Sequence, residues 1–210
     1  MNADCDEKIV DFSSHLFADL NKKLQQEQNA KSEIIFALRN IKSFQKKIIN
    51  IIYKLIECES LDNFYSIIYN DLTFALSCDV SRLGIESELI DEYDSYYNEN
   101  NYSGLKFLTF GCCLNIFADK NHLIINDDAI DVGNQSFKRL LFSDCNDLAV
   151  SSLHLRLYLP SFKRAAILSF GSREQLFFEK RKYDSDLLGL LAHIISATLN
   201  KLLQQDDELI

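Results

Sequence analysis

The alternation of apolar and polar positions is clearest between Leu153 and Leu159. Leu153, Leu155, Leu157 and Leu159 fall on one side of a strand, and Ser152, His154, Arg156 and Tyr158 on the other, because successive strand side chains point to opposite faces. Pro160 ends that strand, having no N–H to give to a ladder. A short link around 161–164 has the length of a hairpin loop. Ala165 to Gly171 then reads as a second strand, more continuously apolar and therefore central, closed by Gly171-Ser172. A long amphipathic helix follows, capped by Asp184 or Ser185. Its apolar stripe is Leu187, Leu188, Leu191, Ile194, Ile195, Leu199 and Leu202. Two strands with one apolar face do not hold in water alone. The leucine face needs helices over it, and this helix is the nearest.

Upstream, helical spacing runs through Ile9, Phe12, Leu16, Leu20 and Leu24, over Glu7 to about Gln28. A second helical pattern, Ser32 to about Glu57, sets Ile34, Leu38, Ile41, Ile48, Ile52 and Leu55 at alternating four- and three-residue intervals. Gln45 interrupts this heptad-like seam, and Phe44, Ile51 and Ile56 widen it. The polar link NKKLQQEQNAKSE implies either a break near Asn29 or one continuous helix exposed on most sides. The width of the seam suits packing against a domain or another helix pair better than a bare two-stranded coil, and the pattern alone favours an ordinary core helix and a dimer helix equally. Ser60 caps a further helix, Leu61 to about Leu76, with Phe64, Ile67, Ile68, Leu72 and Leu76 on one face.

Val80 to Ile85 is a strand with Leu83 and Ile85 on one side and Val80, Arg82 and Gly84 on the other. The stretch DEYDSYYNENNYSG reads as a surface loop or short helix, whose Tyr93, Tyr96, Tyr97 and Tyr102 either form a lid or half-bury their rings. Leu105 to Ala118 fits a strand or a helix. His122 to Asn126 is a short strand or connector. Asp127 to Phe142 is a turn and then a helix burying Phe137, Leu140, Leu141 and Phe142. Strands flanked by helices at both ends imply an α+β domain with an antiparallel sheet.

Length and charge narrow the picture. The 210 residues suit one domain, 30–210, led by an N-terminal helical extension, 1–29. A net charge of -9 disfavours nucleic acid or an anionic membrane as a partner, since phosphate binding needs a basic surface; a local basic pocket stays open. The acidic start lacks the pattern of a signal peptide, and no apolar segment approaches a membrane span, which points to the cytosol and reduced thiols. Cysteines at 5, 58, 78, 112, 113 and 145 form no C-x-x-C, and His15, His122, His154 and His193 have no metal spacing. No metal or cofactor is expected.

The polar strand faces carry the candidate chemistry. Arg82, His154, Arg156 and Tyr158 form a candidate ligand-binding set, because two planar guanidinium forks match a small carboxylate or phosphate. The same pattern fits a solvated sheet face. Cys112-Cys113 lies among Phe110, Gly111, Leu114 and Ile116, which supply neither a base nor a positive charge, so buried inert thiols are favoured over a nucleophile. His193, inside the apolar run of the last helix, reads as a satisfied core or interface residue. Lys180-Arg181-Lys182 reads as a solvated turn before that helix rather than an anion site. No nucleophile elbow, P-loop or dinucleotide fingerprint occurs.

The apolar strand ending at Pro160, the strand closing in Gly171-Ser172, and the aromatic Phe177 or Phe178 before the last helix together resemble the bacterial domain-of-unknown-function family 484. Residues 133–142 match the short helix that family places before these strands, and the helices at Ser32–Glu57 and Leu61 occupy the expected places. The resemblance covers about residues 30 to 203. It departs where Arg173-Glu174-Gln175 keeps an acid but lacks the family's proline, and in a short, divergent N-terminus. It implies a GAF-like sheet with helices on one side and a pocket on the other, and brings no activity with it. The expectation is a non-enzymatic cytosolic sensor or dimerisation module, homodimeric through its long helices, with a small ligand. The alternatives are an interaction scaffold without a pocket, and then an enzyme using Cys112 or Cys113.

Overall fold

The structure, a computed structural model, describes residues 3–87, 104–117, 123–126, 140–181 and 183–205. Helix α1 runs unbroken over Ala3–Ile56. No glycine or proline lies in that span, and at the anticipated break Ser32 Oγ donates back to the Gln28 carbonyl at 2.9 Å inside the helix. The chain divides into two compact units, Met1–Gln45 and Lys46–Ile210. That division falls later than residue 29. In the first unit, side chains 20–43 are exposed.

Within the second unit, α1 ends by burying Ile48, Ile51 and Leu55. Ser60 caps α2, Leu61–Ser66, its Oγ accepting the Asn63 N–H at 3.3 Å. The helical path continues through a π-helical turn, Ile67–Leu72, into α3, Thr73–Leu76. It stops at Ser77 in the left-handed conformation, φ 55°.

Among the described residues five strands follow: β1 Val80–Ser87, β2 Leu105–Thr109, β3 Leu123–Asn126, β4 Ser151–Leu159 and β5 Arg164–Ser172. They form one sheet in the order β2-β1-β5-β4-β3, so the uninterrupted apolar strand is the central one. The expected antiparallel sheet is corrected to a mixed one. β1 and β2 are parallel, with Leu83 opposite Leu105, while β1–β5, β5–β4 and β4–β3 are antiparallel. Alternation reports which face a side chain takes, not strand direction. The long stretch between Ser87 and Leu105 gives the room that a parallel crossover needs and a hairpin does not. The tyrosine-rich stretch with Tyr93, Tyr96, Tyr97 and Tyr102 lies outside the described residues, as do Phe137 and most of the helix expected before Phe142.

Leu105–Ala118 is both things its pattern allowed. β2 occupies its first part and a helix, α4, Cys112–Phe117, its second. Gly111 turns the chain between them at φ 82°, where a Cβ would be strained.

Helix α5 spans Phe177–Arg181 and α6 Ser185–Gln205. Asp184 caps α6, its Oδ1 accepting N–H groups from Asp186 at 3.0 Å and Leu187 at 3.2 Å. α6 packs across β4, whose Leu153, Leu155, Leu157 and Leu159 are buried. Beyond the reach of β3, Ser196 Oγ accepts the Tyr158 N–H at 3.2 Å. Thr198 Oγ1 donates to the Leu55 carbonyl at 3.3 Å, tying α6 to the end of α1.

Three expectations are corrected along these helices. α6 does reach the length and apolarity of a membrane span, at 21 residues with mean hydropathy 1.3. Its buried face on β4 accounts for that apolarity as a core helix's. His193 is exposed rather than in the core, because the buried positions Leu188, Leu191, Ala192, Ile195 and Leu199 leave it on the opposite side of the wheel; the interface alternative is compatible with that exposure. Lys180 and Arg181 belong to α5 rather than a turn. Arg181 lies 4.2 Å over the Phe177 ring.

Candidate functional site on the covered sheet face

Among the described residues, most of the other side of the sheet is covered, and Tyr158 near its end is exposed. Val80, Leu108 and Ile167 from the strands pack with Cys113 and Phe117 of α4, and with Leu141, Phe142, Cys145 and Ala149. This second cover encloses Ser152, His154 and most of Arg82 among the polar residues that the alternation had set apart.

Register places them. Arg82 of β1 lies opposite Ser169 of β5, and Ser169 lies opposite His154 of β4. Arg82, Ser169 and His154 therefore form one row across three adjacent strands. His154 is wholly buried, with Nδ1 2.7 Å from Ser169 Oγ and Nε2 2.9 Å from Ser152 Oγ. A hydroxyl both donates and accepts, so either neutral tautomer of the imidazole is satisfied. A serine hydroxyl on a histidine nitrogen is also the geometry of an activated nucleophile. Here Ser152, His154 and Ser169 all have 0% exposure, and no substrate atom can approach. The set ties β4 to β5.

Arg82 sits at the end of the row. Its Nη1 donates to the Ser81 carbonyl at 2.9 Å, and its Nη2 to Asp144 Oδ2 at 2.6 Å and to Cys145 Sγ at 3.2 Å. Partial burial alone would raise the Asp144 carboxyl, but the hydrogen bond and charge of Arg82 outweigh it and hold the group below the usual carboxylate range. Among the described residues, two buried side-chain polar atoms have no hydrogen-bond partner: Arg82 Nε and Tyr69 Oη. Tyr69 stacks on Tyr65 with ring centroids 5.8 Å apart. Its ring also lies against Gly104, where a Cβ would collide with it. Burial pushes the Tyr69 phenol far above its ordinary value, and the nearby Arg82 charge opposes that shift.

Arg156 and Tyr158 do not join this row. The Arg156 guanidinium lies 6.0 Å from the centre of the Phe117 ring, a distant contact with α4. Tyr158 is 56% exposed near the strand's end. The buried charge beside them is one that no spacing had marked. Glu86 of β1, 3% exposed, accepts the Cys113 N–H through Oε1 at 2.7 Å and the Ala165 N–H through Oε2 at 3.4 Å. It pins α4 to the sheet. Burial raises the Cys113 thiol well above its ordinary value and the Glu86 carboxylate raises it further; Cys112 is raised for the same two reasons. Both environments favour the inert thiol.

Asp79, Asp144, Tyr69 and Ser169 were not picked out by sequence. Ser169 sits at the right alternation beside an apolar run, the one signal on offer. Asp79 accepts from Ser172 Oγ at 3.2 Å and from the Arg173 N–H at 2.9 Å, and so holds the Gly171-Ser172 end of β5.

No protein-family model matches the chain, and a comparison with curated proteins finds no match.

Proposed function

We propose that this chain is a non-enzymatic, cytosolic module of GAF-like fold that acts by homodimerising through its long leading helix. The observation that carries this reading is α1, which presents Phe17, Leu20, Leu24, Ile34, Leu38 and Ile41 to solvent on one continuous helix. An exposed apolar stripe of that extent is the mark of an interaction surface. The non-enzymatic part rests on chemistry. The buried Ser152–His154–Ser169 set is closed to substrate, and the Cys112 and Cys113 thiols are held protonated by burial and by Glu86.

A second reading, a sensor for a small ligand, is favoured by one observation. Arg82 Nε and Tyr69 Oη are buried donors without a partner, and a buried donor left unpaired costs free energy that an acceptor-bearing ligand would recover. In that reading a small carboxylate or phosphate competes with Asp144 for Arg82. His154 then supports the row, and Arg156 and Tyr158 stand outside the ligand's reach.

Native mass spectrometry of protein purified gently from cells tests both. A bare dimer supports the dimerisation module. A dimer with excess mass that disappears in an Arg82→Ala variant supports the sensor. A monomer at micromolar concentration would sink the first reading.

A further inference from the structure

The continuity of α1 puts the adjoining parts of its two apolar patterns, Leu20 and Leu24 of the first and Ile34, Leu38 and Ile41 of the second, into a single frame. Counting alternately three and four residues from Phe17 gives Leu20, Leu24, Glu27, Lys31, Ile34, Leu38 and Ile41. These are the a and d positions of one heptad series, with Phe17, Leu24, Lys31 and Leu38 at a and Leu20, Glu27, Ile34 and Ile41 at d. All eight side chains are exposed. The seam is apolar at each end and carries one acid and one base at its middle.

We propose that residues 17–41 pair with the same segment of a second copy of this chain in antiparallel orientation, about a twofold axis level with Asn29. This rests on the dimer reading above and gives it a direction and a register. In an antiparallel pair each a position meets a d position of the partner helix. With the axis at Asn29, Phe17 faces the second copy's Ile41, Leu20 its Leu38, Leu24 its Ile34, and Glu27 its Lys31. Every apolar residue meets an apolar one, and the two charged residues meet each other twice. The charges at the middle are thus neutralised by the symmetry itself.

The other arrangements fail on those same two residues. A parallel, in-register pair sets Glu27 against Glu27 and Lys31 against Lys31 inside the seam, and like charges placed together are strongly disfavoured. An antiparallel pair shifted by one heptad sets Glu27 against Leu38 and Lys31 against Ile34. Shifted the other way, Glu27 meets Leu24 and Lys31 meets Leu20. Either shift desolvates four charges without a partner. Flanking positions raise no objection: Ala30 faces Ala30 across the axis on one side and Gln28 faces Gln28 on the other. The occupant that matches this surface in both apolar pattern and charge is its own copy, because the pattern is complementary to itself when reversed.

Charge exchange in the full chain tests the register, with the dimer dissociation constant read by analytical ultracentrifugation and helix content by circular dichroism. Glu27→Lys alone creates two Lys–Lys contacts, and Lys31→Glu alone two Glu–Glu contacts. Each is expected to weaken the dimer at least about tenfold. The double variant, Glu27→Lys with Lys31→Glu, is expected to return it to within a few-fold of the wild type. Glu27 and Lys31 are also four residues apart on the same helix, but such a pair changes helix stability by only about twofold. Single variants that dimerise as tightly as the wild type would overturn the antiparallel register while leaving a dimer, as would a double variant that stays weak. A wild-type chain that is monomeric overturns the dimer reading beneath it. A dimer untouched by Leu24→Asp places the interface off this seam and overturns both.

Discussion

Arg82 joins strand β1 to Asp144, a residue far along the chain, and that pairing makes part of the stability depend on acid. The Asp144 carboxyl titrates lower in the folded protein than in the unfolded chain. As pH falls, the unfolded chain therefore takes up the proton first. The contribution is complete above the ordinary carboxylate value and is lost as pH drops through the folded one. Thermal unfolding followed from about pH 6 down to about pH 3 should show a steeper loss for the wild type than for Asp144→Asn. Equal slopes would mean that this ion pair, which is partly exposed, adds nothing measurable. At this scale the sequence carried half of the site. Alternation put Arg82 and His154 on polar faces, and register made those one face. Asp144 and Tyr69 were out of sight because contacts between distant residues leave no local pattern.

Among the elements, the segment from Leu105 to Phe117 shows how a single residue decides structure. Its apolar run satisfies both a strand and a helix pattern, and Gly111 divides it into one of each. A Cβ at Gly111 would meet nothing within 4 Å, so Gly111→Ala isolates the backbone cost of the positive φ. It should lower the unfolding free energy by roughly 1 kcal/mol. At Gly104 the φ is not the obstacle but the Tyr69 ring is, and Gly104→Ala should cost more, about 1–3 kcal/mol. Urea unfolding of both variants checks the order, and a reversed order would contradict the packing at Tyr69. The π-helical turn at Ile67–Leu72 had no herald, since its apolar residues keep ordinary helix intervals. Thr73 Oγ1 donating to the Ile68 carbonyl at 3.3 Å, five residues back, belongs to that wider turn.

Considered whole, the molecule was legible where the period of the pattern was long or strict: the leading helix, the β4–β5 hairpin and the closing helix. Strand order and direction were not, because no local signal says that β1 lies between β2 and β5. That order has a consequence for how the protein comes into being. β5 is the middle strand of the sheet, yet it is the last of the five to be made. Val80 must wait for Gly171 and Arg82 for Ser169 before β1 gains its antiparallel neighbour. A chain stopped after residue 163 should lack a cooperative unfolding transition by calorimetry, and a sharp transition there would show that β1, β2, β3 and β4 hold without their centre. On the ribosome the early strands emerge with apolar faces uncovered and an unfilled gap between them, a state that invites aggregation. The sheet can therefore be completed only once the chain is free through residue 172.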